Sequence, residues 1–198
     1  MQTALPVRLG YRENLYGVTT SRGGRLAMVV SANALLAISA HISLPLFFTP
    51  IPLTLQTFAV LLTGLLLGPD LAFSAGLFYL AEGAAGLPVF SPTGPGGLAQ
   101  LFGISGGFLM AIPFAAAAAG FVPRAFGSRL SRFAAAIIGG TAATLLVFLS
   151  GGLWISHFSH VTWQTSAALG VAPFLPGEVI KIIAAASAYA TLRRYIRN

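Results

Sequence analysis

The first chemical feature of the chain is a lysine placed three residues after a glutamate in an apolar segment. Lys181 follows Glu178 within residues 174–184, and it is the only basic residue of the sequence that lies inside a hydrophobic stretch. A charged side chain in a membrane helix costs roughly 2.5–3.5 kcal/mol on insertion scales, so it usually faces a protein interior and marks a ligand or ion path. Positions i and i+3 share a helix face, so Glu178 can be its partner.

Four further residues are candidates for the same site. Glu82 is a second acid within an apolar stretch, and Tyr79 precedes it by about one helical turn. Gln56 lies near the start of another apolar segment, and both Gln and Tyr can donate or accept hydrogen bonds. Phe90 adds an aromatic surface. The residues expected to bind a small amphiphilic ligand are therefore Glu178, Lys181, Gln56, Tyr79, Glu82 and Phe90.

Four of these six residues also have a purely structural interpretation. Glu178 and Lys181 could form a buried ion pair that fixes helix packing without binding anything. Gln56 could satisfy backbone groups that a helix start leaves without partners. Phe90 could belong to the belt of aromatic residues found at membrane surfaces. These alternatives stay open at the level of sequence.

Composition indicates that the surroundings are a membrane. The chain has 198 residues, of which 56% are hydrophobic and only 8% are charged, and its mean hydropathy is +0.84. A soluble domain typically carries about 25% charged residues. The net charge of +7 does not indicate nucleic acid, because the arginines lie between apolar spans instead of in one patch with interleaved aromatics. The sequence therefore predicts an all-α integral membrane protein in a lipid bilayer.

The apolar segments predict six transmembrane helices. A helix that crosses a hydrocarbon core of about 30 Å needs roughly 17–25 residues, and the second segment is shorter than that. The predicted helices cover residues 25–44, 54–67, 70–86, 106–122, 132–153 and 177–195. Residues 25–198 would form one membrane domain that binds a substrate, and residues 1–24 would be a cytoplasmic N-terminal tail.

The basic residues predict the orientation in the membrane. Every lysine and arginine except Lys181 lies before or at the start of the first helix, between the fourth and fifth or at the start of the fifth, or at the end of the sixth or beyond it, whereas the loops at 45–53, 87–105 and 154–175 contain none. Basic loops stay in the cytoplasm. Both termini are therefore predicted to be cytoplasmic, and Glu82, Glu178 and Lys181 fall in the outer half of the membrane.

Other chemistry finds little support in the sequence. His157 and His160 could ligate a metal, but a site needs three or four ligands and no third is identifiable, so no metal is predicted. The chain has four acidic residues and no cysteine. It also lacks a nucleophile elbow and a phosphate-binding loop. We therefore expect neither an enzyme nor a self-contained ATPase.

Several motifs occur in the order seen in one family. They are TPIPLTLQT at 49–57, GLLLGP at 64–69, GLPVF at 86–90, GGF at 106–108 and PFLPGEVIK at 173–181. From about residue 25 to the C-terminus, the chain resembles the BioY family, the biotin-specific S components of energy-coupling factor (ECF) transporters. Residues 1–24 lie outside the resemblance.

The resemblance implies a six-helix membrane subunit that captures biotin from the outside, in the cytoplasmic membrane. It also implies partners, namely a transmembrane coupling subunit and two ABC-type ATPases, and biotin as the transported ligand with no cofactor. The family's Pro-Gly-acid-x-x-Lys signature binds ligand, which transfers that role to Glu178 and Lys181. The family commonly has aspartate where this chain has Glu178.

Three alternatives are distinguishable from this hypothesis. The chain could be an S component for another vitamin. It could be a proton-coupled or solitary oligomeric carrier that works without ATPases, with Glu82 as the titrating group. A membrane enzyme using Glu82 and Glu178 for acid–base chemistry is a further possibility, for which the sequence suggests no substrate.

Overall fold

The computed structural model describes residues 21–127 and 129–197, and over these residues the chain is mostly helical. In chain order the helices are α1 (Arg22–His41), α2 (Gln56–Leu67), α3 (Pro69–Ala84), α4 (Gly97–Leu101), α5 (Gly106–Met110), α6 (Ile112–Phe126), α7 (Arg132–Phe158), α8 (Trp163–Gly170) and α9 (Leu175–Arg197). A 3-10 turn, Ala172–Phe174, precedes α9. Of the predicted N-terminal tail, residues 1–20 lie outside the described residues, whereas residues 22–24 belong to α1.

Local sequence signals set several helix ends. Ser21, Ser131 and Thr162 each precede a helix and accept a hydrogen bond from the backbone N–H three residues later, which satisfies a donor that the helix leaves free. Gly68 separates α2 from α3 with a φ of +79°. Only glycine adopts that conformation at no steric cost, and Pro69 then starts α3.

The structure differs from the predicted helices in several places, and α7, for example, continues to Phe158 instead of ending at residue 153. The first predicted helix was too long, because Ser43–Leu44 (β1) leaves it and pairs in antiparallel fashion with Leu53–Thr54 (β2). The fourth predicted helix is divided at Ala111 into α5 and α6, and a proline occupies the start of α6. Helices α4 and α8 lie in segments that were predicted as loops.

Three helical segments among the described residues are long and apolar enough to cross a membrane: Arg22–His41, Arg132–Phe158 and the run Trp163–Tyr195. The apolar helices Gln56–Leu67 and Ile112–Phe126 are shorter. At about 1.5 Å per residue, the 12 residues of α2 extend only about 18 Å. The count of six spans is therefore not established by helix length.

Small residues allow the helices to approach closely. Gly64 of α2 lies against the carbonyl of Ala116 in α6, and Gly76 of α3 lies against the backbone of Pro113. Gly139 of α7 lies against the carbonyl of Ala119. Helices in lipid associate through close packing, since the surrounding lipid is as apolar as the helix surfaces. Helix α6 is consequently surrounded by α2, α3 and α7.

Contacts at one end of the bundle bring the arginines together. The guanidinium of Arg124, near the end of α6, pairs with Asp70 at the start of α3. Arg193 of α9 donates a hydrogen bond to the carbonyl of Leu66 near the end of α2, and Leu66 lines one groove with Gly24 of α1. The start of α9, the β1–β2 ribbon and the long loops lie at the opposite end.

Packing at Gly76 generates a stability prediction. An added Cβ would lie 2.7 Å from the Cα of Pro113, and overpacking of this kind typically costs about 1–3 kcal/mol. We expect Gly76→Ala to lower the midpoint of thermal unfolding in detergent by several degrees. Gly23→Ala is the matched control, because nothing lies within 4 Å of its added Cβ. Equal midpoints for both variants and wild type would contradict the packing.

Candidate functional site

A cavity of about 210 Å³ lies at the end of the bundle opposite the arginines. Its lining comes from helices α2, α4, α5, α6, α7 and α9, from the 3-10 turn before α9, and from the segments 50–54, 91–95 and 103–105. The polar and aromatic members of the lining include Gln56, Thr57, Ser91, Thr93, Gln100, Phe108, Phe148, Phe174, Glu178 and Lys181. Most of the remaining lining is aliphatic, proline or glycine, so a few polar groups are set in an apolar wall.

Glu178 and Lys181 form an ion pair at the cavity. The ammonium Nζ of Lys181 lies 2.6 Å from Oε1 of Glu178. The hydroxyl of Thr57 donates to the same oxygen at 3.0 Å and accepts a hydrogen bond from Lys181 at 3.4 Å. One hydroxyl of α2 therefore contacts both charges of α9, and the two helices are joined at the site.

Both charged side chains are largely removed from solvent. Glu178 is 5% exposed and Lys181 is 11% exposed. Glu178 occupies the first turn of α9, where the positive end of the helix dipole stabilises a carboxylate. Its Oε1 has two partners, but Oε2 is buried without any among the described residues. The pair is charge-neutral and keeps one acceptor unsatisfied.

A second hydrogen-bonded group joins the cavity to an outer loop. Nε2 of Gln56 donates to the hydroxyl of Tyr79 at 2.7 Å. That hydroxyl donates to the carbonyl of Val89 at 3.0 Å. Gln56 lines the cavity, whereas Tyr79 is fully buried behind it. The wall formed by the loop after α3 is thus connected to the first turn of α2.

The structure brings three of the six predicted site residues into the cavity lining: Glu178, Lys181 and Gln56. Tyr79 contacts Gln56 from behind. Phe90 is buried, with its ring 5.3 Å from that of Tyr79 in an edge-to-face arrangement and its tip against Gly83. It supports the loop instead of forming part of a membrane belt.

Glu82 also lies outside the lining. Its side chain is half-buried, and it makes no hydrogen bond or ion pair with other described residues. The sequence predicted Glu82, Glu178 and Lys181 at one depth, but only Glu178 and Lys181 line the cavity. The position of Glu82 in the sequence does not determine the side of α3 on which its side chain lies.

Side-chain hydrogen bonds fix the two loops that cover the cavity. Thr49 donates to the carbonyl of Leu169 at 2.6 Å, which ties the first loop to α8. Gln100 of α4 accepts from the backbone N–H of Gly96 and donates to the carbonyl of Ser91. The amide of Gln100 thereby closes the second loop into a compact wall.

Sequence reasoning missed several residues of the site. Thr57 adjoins Gln56 in the sequence, yet its contacts with Glu178 and Lys181 depend on how α2 packs on α9. Gln100 lies in a segment that was predicted as a loop, and its partners are backbone groups. The aromatic wall of Phe108, Phe148 and Phe174 comes from three different elements. Thr57, Phe108 and Phe174 each lie in one of the family motifs found in the sequence, which were the signals that could have indicated them.

A family model provides the decisive comparison. The model described as the BioY family matches residues 13–198. The chain belongs to the BioY family. The match confirms the resemblance and begins earlier than expected, because residues 13–24 are included. Family membership and the apolar helices together make it an integral membrane protein.

Relatives within the family come from distant organisms. A protein of Pyrococcus horikoshii named a probable biotin transporter BioY is 36% identical over 79% of this chain and 88% of its own length. The biotin transporter BioY of Thermotoga maritima is 32% identical over 77% of this chain and 86% of its own length. Relatives of this BioY chain are thus named as transporters, in agreement with the prediction that it is not an enzyme.

A solved structure has the same fold. The S-component for biotin from an ECF-type ABC transporter superposes with a TM-score of 0.78 at 28% sequence identity, covering 86% of this chain and 90% of that one. The likeness extends over most of both chains, so the helical arrangement around the cavity belongs to the family fold.

The ion pair at the cavity generates a second prediction. Glu178→Leu or Lys181→Met alone leaves one buried charge without its partner, and such changes typically cost about 3–5 kcal/mol. We expect each single variant to unfold at a clearly lower temperature and the double variant to recover most of the loss. Thermal unfolding of the three purified variants in one detergent measures this.

Arg124→Met is the control, because it breaks an ion pair whose side chains are 62% and 78% exposed, and exposed pairs contribute little. Additive losses in the double variant, as large as the sum of the single ones, would contradict a mutually compensating pair.

Proposed function

We propose that the chain is a biotin-binding S component that captures biotin at the outer face of the cytoplasmic membrane for import by an ECF transporter. The observation that carries the proposal is the neutral Glu178–Lys181 pair in an apolar cavity at the end of the bundle opposite the arginines. Names of the relatives and of the structural neighbour supply the ligand class.

Six spans follow if the shorter helices also cross the membrane. Helices α1, α2, α3, α6, α7 and α9 then alternate in direction, with α5 extending α6. Helix α2 is short, but Gly68 and Pro69 reverse the chain at its inner end. The β1–β2 ribbon precedes α2 at its outer end.

Arginines at one end of the bundle favour cytoplasmic termini. The starts of α1 and α7 and the ends of α6 and α9 carry arginines, and the contacts of Arg124 and Arg193 place this end at the junction of α2 and α3. Basic segments remain on the cytoplasmic side. The cavity then faces outward, where a vitamin would arrive.

The paired charges complement the ureido end of biotin. A ureido group has N–H donors beside a carbonyl acceptor, and Glu178 and Lys181 offer an acceptor beside a donor. Hydrogen bonds that involve a charged partner are shorter and roughly twice as strong as neutral ones. Oε2 of Glu178 lacks a donor in this structure, so a ligand N–H supplies what the buried carboxylate needs.

The rest of the cavity suits the remaining parts of biotin. Phe108, Phe148 and Phe174 provide an apolar surface for the bicyclic ring, as small-molecule pockets usually do. Among the described lining residues Lys181 is the only cation, and Glu178 already neutralises it. The ligand carboxylate therefore points toward the outer loops and water.

Import requires energy from other subunits. The sequence has no phosphate-binding loop, and the structural neighbour is the S-component of an ECF-type ABC transporter. A transmembrane coupling subunit and two ABC-type ATPases are the partners that this architecture calls for. The proton-coupled alternative gains no support, because Glu82 lies outside the cavity.

Calorimetric titration of the purified protein with biotin, thiamine and riboflavin tests the ligand. We expect biotin alone to bind tightly, and Glu178→Gln or Lys181→Met to weaken it at least tenfold, or about 1.4 kcal/mol. Asp70→Asn removes an acid at the opposite end of the bundle and should leave binding unchanged. Equal affinity for the three vitamins would end the biotin assignment.

Uptake into cells tests the energy source. Biotin accumulation should depend on co-expressed coupling and ATPase subunits and should resist a protonophore while ATP is maintained. Glu82→Gln should transport normally, since its side chain does not reach the cavity. Uptake that continues without those subunits, and is abolished by a protonophore or by Glu82→Gln, would favour the proton-coupled carrier.

A further inference from the structure

The hydrogen bonds of Tyr79 determine which atom of Gln56 is available to a ligand. Tyr79 is fully buried in α3, and its hydroxyl lies 3.0 Å from the carbonyl of Val89 and 2.7 Å from the amide nitrogen of Gln56. A carbonyl can only accept, and a phenol has a single proton to donate. The proton of Tyr79 is therefore committed to Val89.

A hydroxyl that has donated its proton can only accept from its second neighbour. Gln56 must then present its NH₂ group to Tyr79, and the carbonyl Oε1 is the end left over. Gln56 lines the cavity, and no described residue donates to Oε1. The orientation of an amide, which its shape alone leaves ambiguous, follows here from the partners of a neighbouring hydroxyl.

We propose that Tyr79 is a positioning residue that makes Gln56 a hydrogen-bond acceptor in the cavity, and that Gln56 thereby selects ligands with an N–H donor. The inference rests on the proposed function and adds a specificity determinant to the same site. Glu178 and Gln56 then provide two acceptors, one on α9 and one on α2, and a ureido ring has two N–H groups.

Selection by such an acceptor has a physical basis. A site built to bond a polar group rejects an analogue that lacks it, because the protein's own buried group is left without a partner. If Tyr79 were absent, the Gln56 amide could rotate and offer its NH₂ group instead. The loss of ligand affinity would then arise through Gln56 and not through a contact of Tyr79 with the ligand, since Tyr79 is outside the cavity lining.

A double-mutant cycle on biotin affinity separates this role from a general structural one. The variants are Tyr79→Phe, Gln56→Leu and the combination, each purified and checked for unaltered thermal unfolding. We expect Tyr79→Phe to weaken binding about fivefold or more in the wild-type background and less than about twofold in the Gln56→Leu background, because the two act as one unit.

Tyr189→Phe is the matched control, since Tyr189 is also buried but lies on α9 near Arg193, away from the cavity. It should bind biotin like wild type. Equal losses from Tyr79→Phe in both backgrounds would overturn the inference while leaving biotin binding by wild type intact. Failure of wild type to bind biotin would instead refute the proposed function on which the inference depends.

Ligand analogues give a second test that does not require Tyr79→Phe to fold. Biotin methylated on either ureido nitrogen lacks one donor and should bind wild type more weakly than biotin does. For one of the two analogues, this loss relative to biotin should be much smaller in Gln56→Leu than in wild type. Identical losses in the two proteins for both analogues would show that Gln56 accepts from neither nitrogen, which would overturn the inference.

Discussion

A lysine and a glutamate in an apolar environment must neutralise each other, and the architecture of the site follows from that constraint. Lys181 and Glu178 are brought together by one helical turn, but their remaining hydrogen-bonding capacity has to be met by other elements. Thr57 meets part of it from α2. Oε2 of Glu178 stays without a partner, and burial makes an unsatisfied acceptor costly. A ligand that donates a hydrogen bond to Oε2 removes this cost, and the free energy recovered adds to the affinity for the ligand.

The bundle separates this polar site from the charged surface. Arg124 and Arg193 lie at one end and engage groups near the junction of α2 and α3, while the cavity lies at the other end beneath two loops. Glycines at helix crossings let α2, α6 and α7 approach closely. The helices next to the cavity are therefore tightly packed, and hydrogen bonds from Thr49 and Gln100 hold the loops over it.

Much of this was predictable from sequence because it depends on local pattern. Long apolar segments indicated where α1, α2, α3, α6, α7 and α9 lie, although not all of their bounds. Gly68–Pro69 marked the break between α2 and α3, and spacing paired Glu178 with Lys181. Those features need only a few adjacent residues. The roles of Thr57 and Gln100 required knowing which helices and backbone groups meet in space. Glu82 shows the same limit: whether its side chain reaches the cavity depends on how α3 packs, which the sequence does not show.

The central proposal is that the Glu178–Lys181 pair binds the ureido end of the vitamin within this cavity. A crystal structure of the protein with biotin bound tests it most directly. We expect a ureido nitrogen within hydrogen-bonding distance of the Glu178 carboxylate, the bicyclic ring against the aromatic wall, and the carboxylate of biotin toward the outer loops. Biotin bound with its carboxylate on Lys181, or at a place outside the cavity, would contradict the claim.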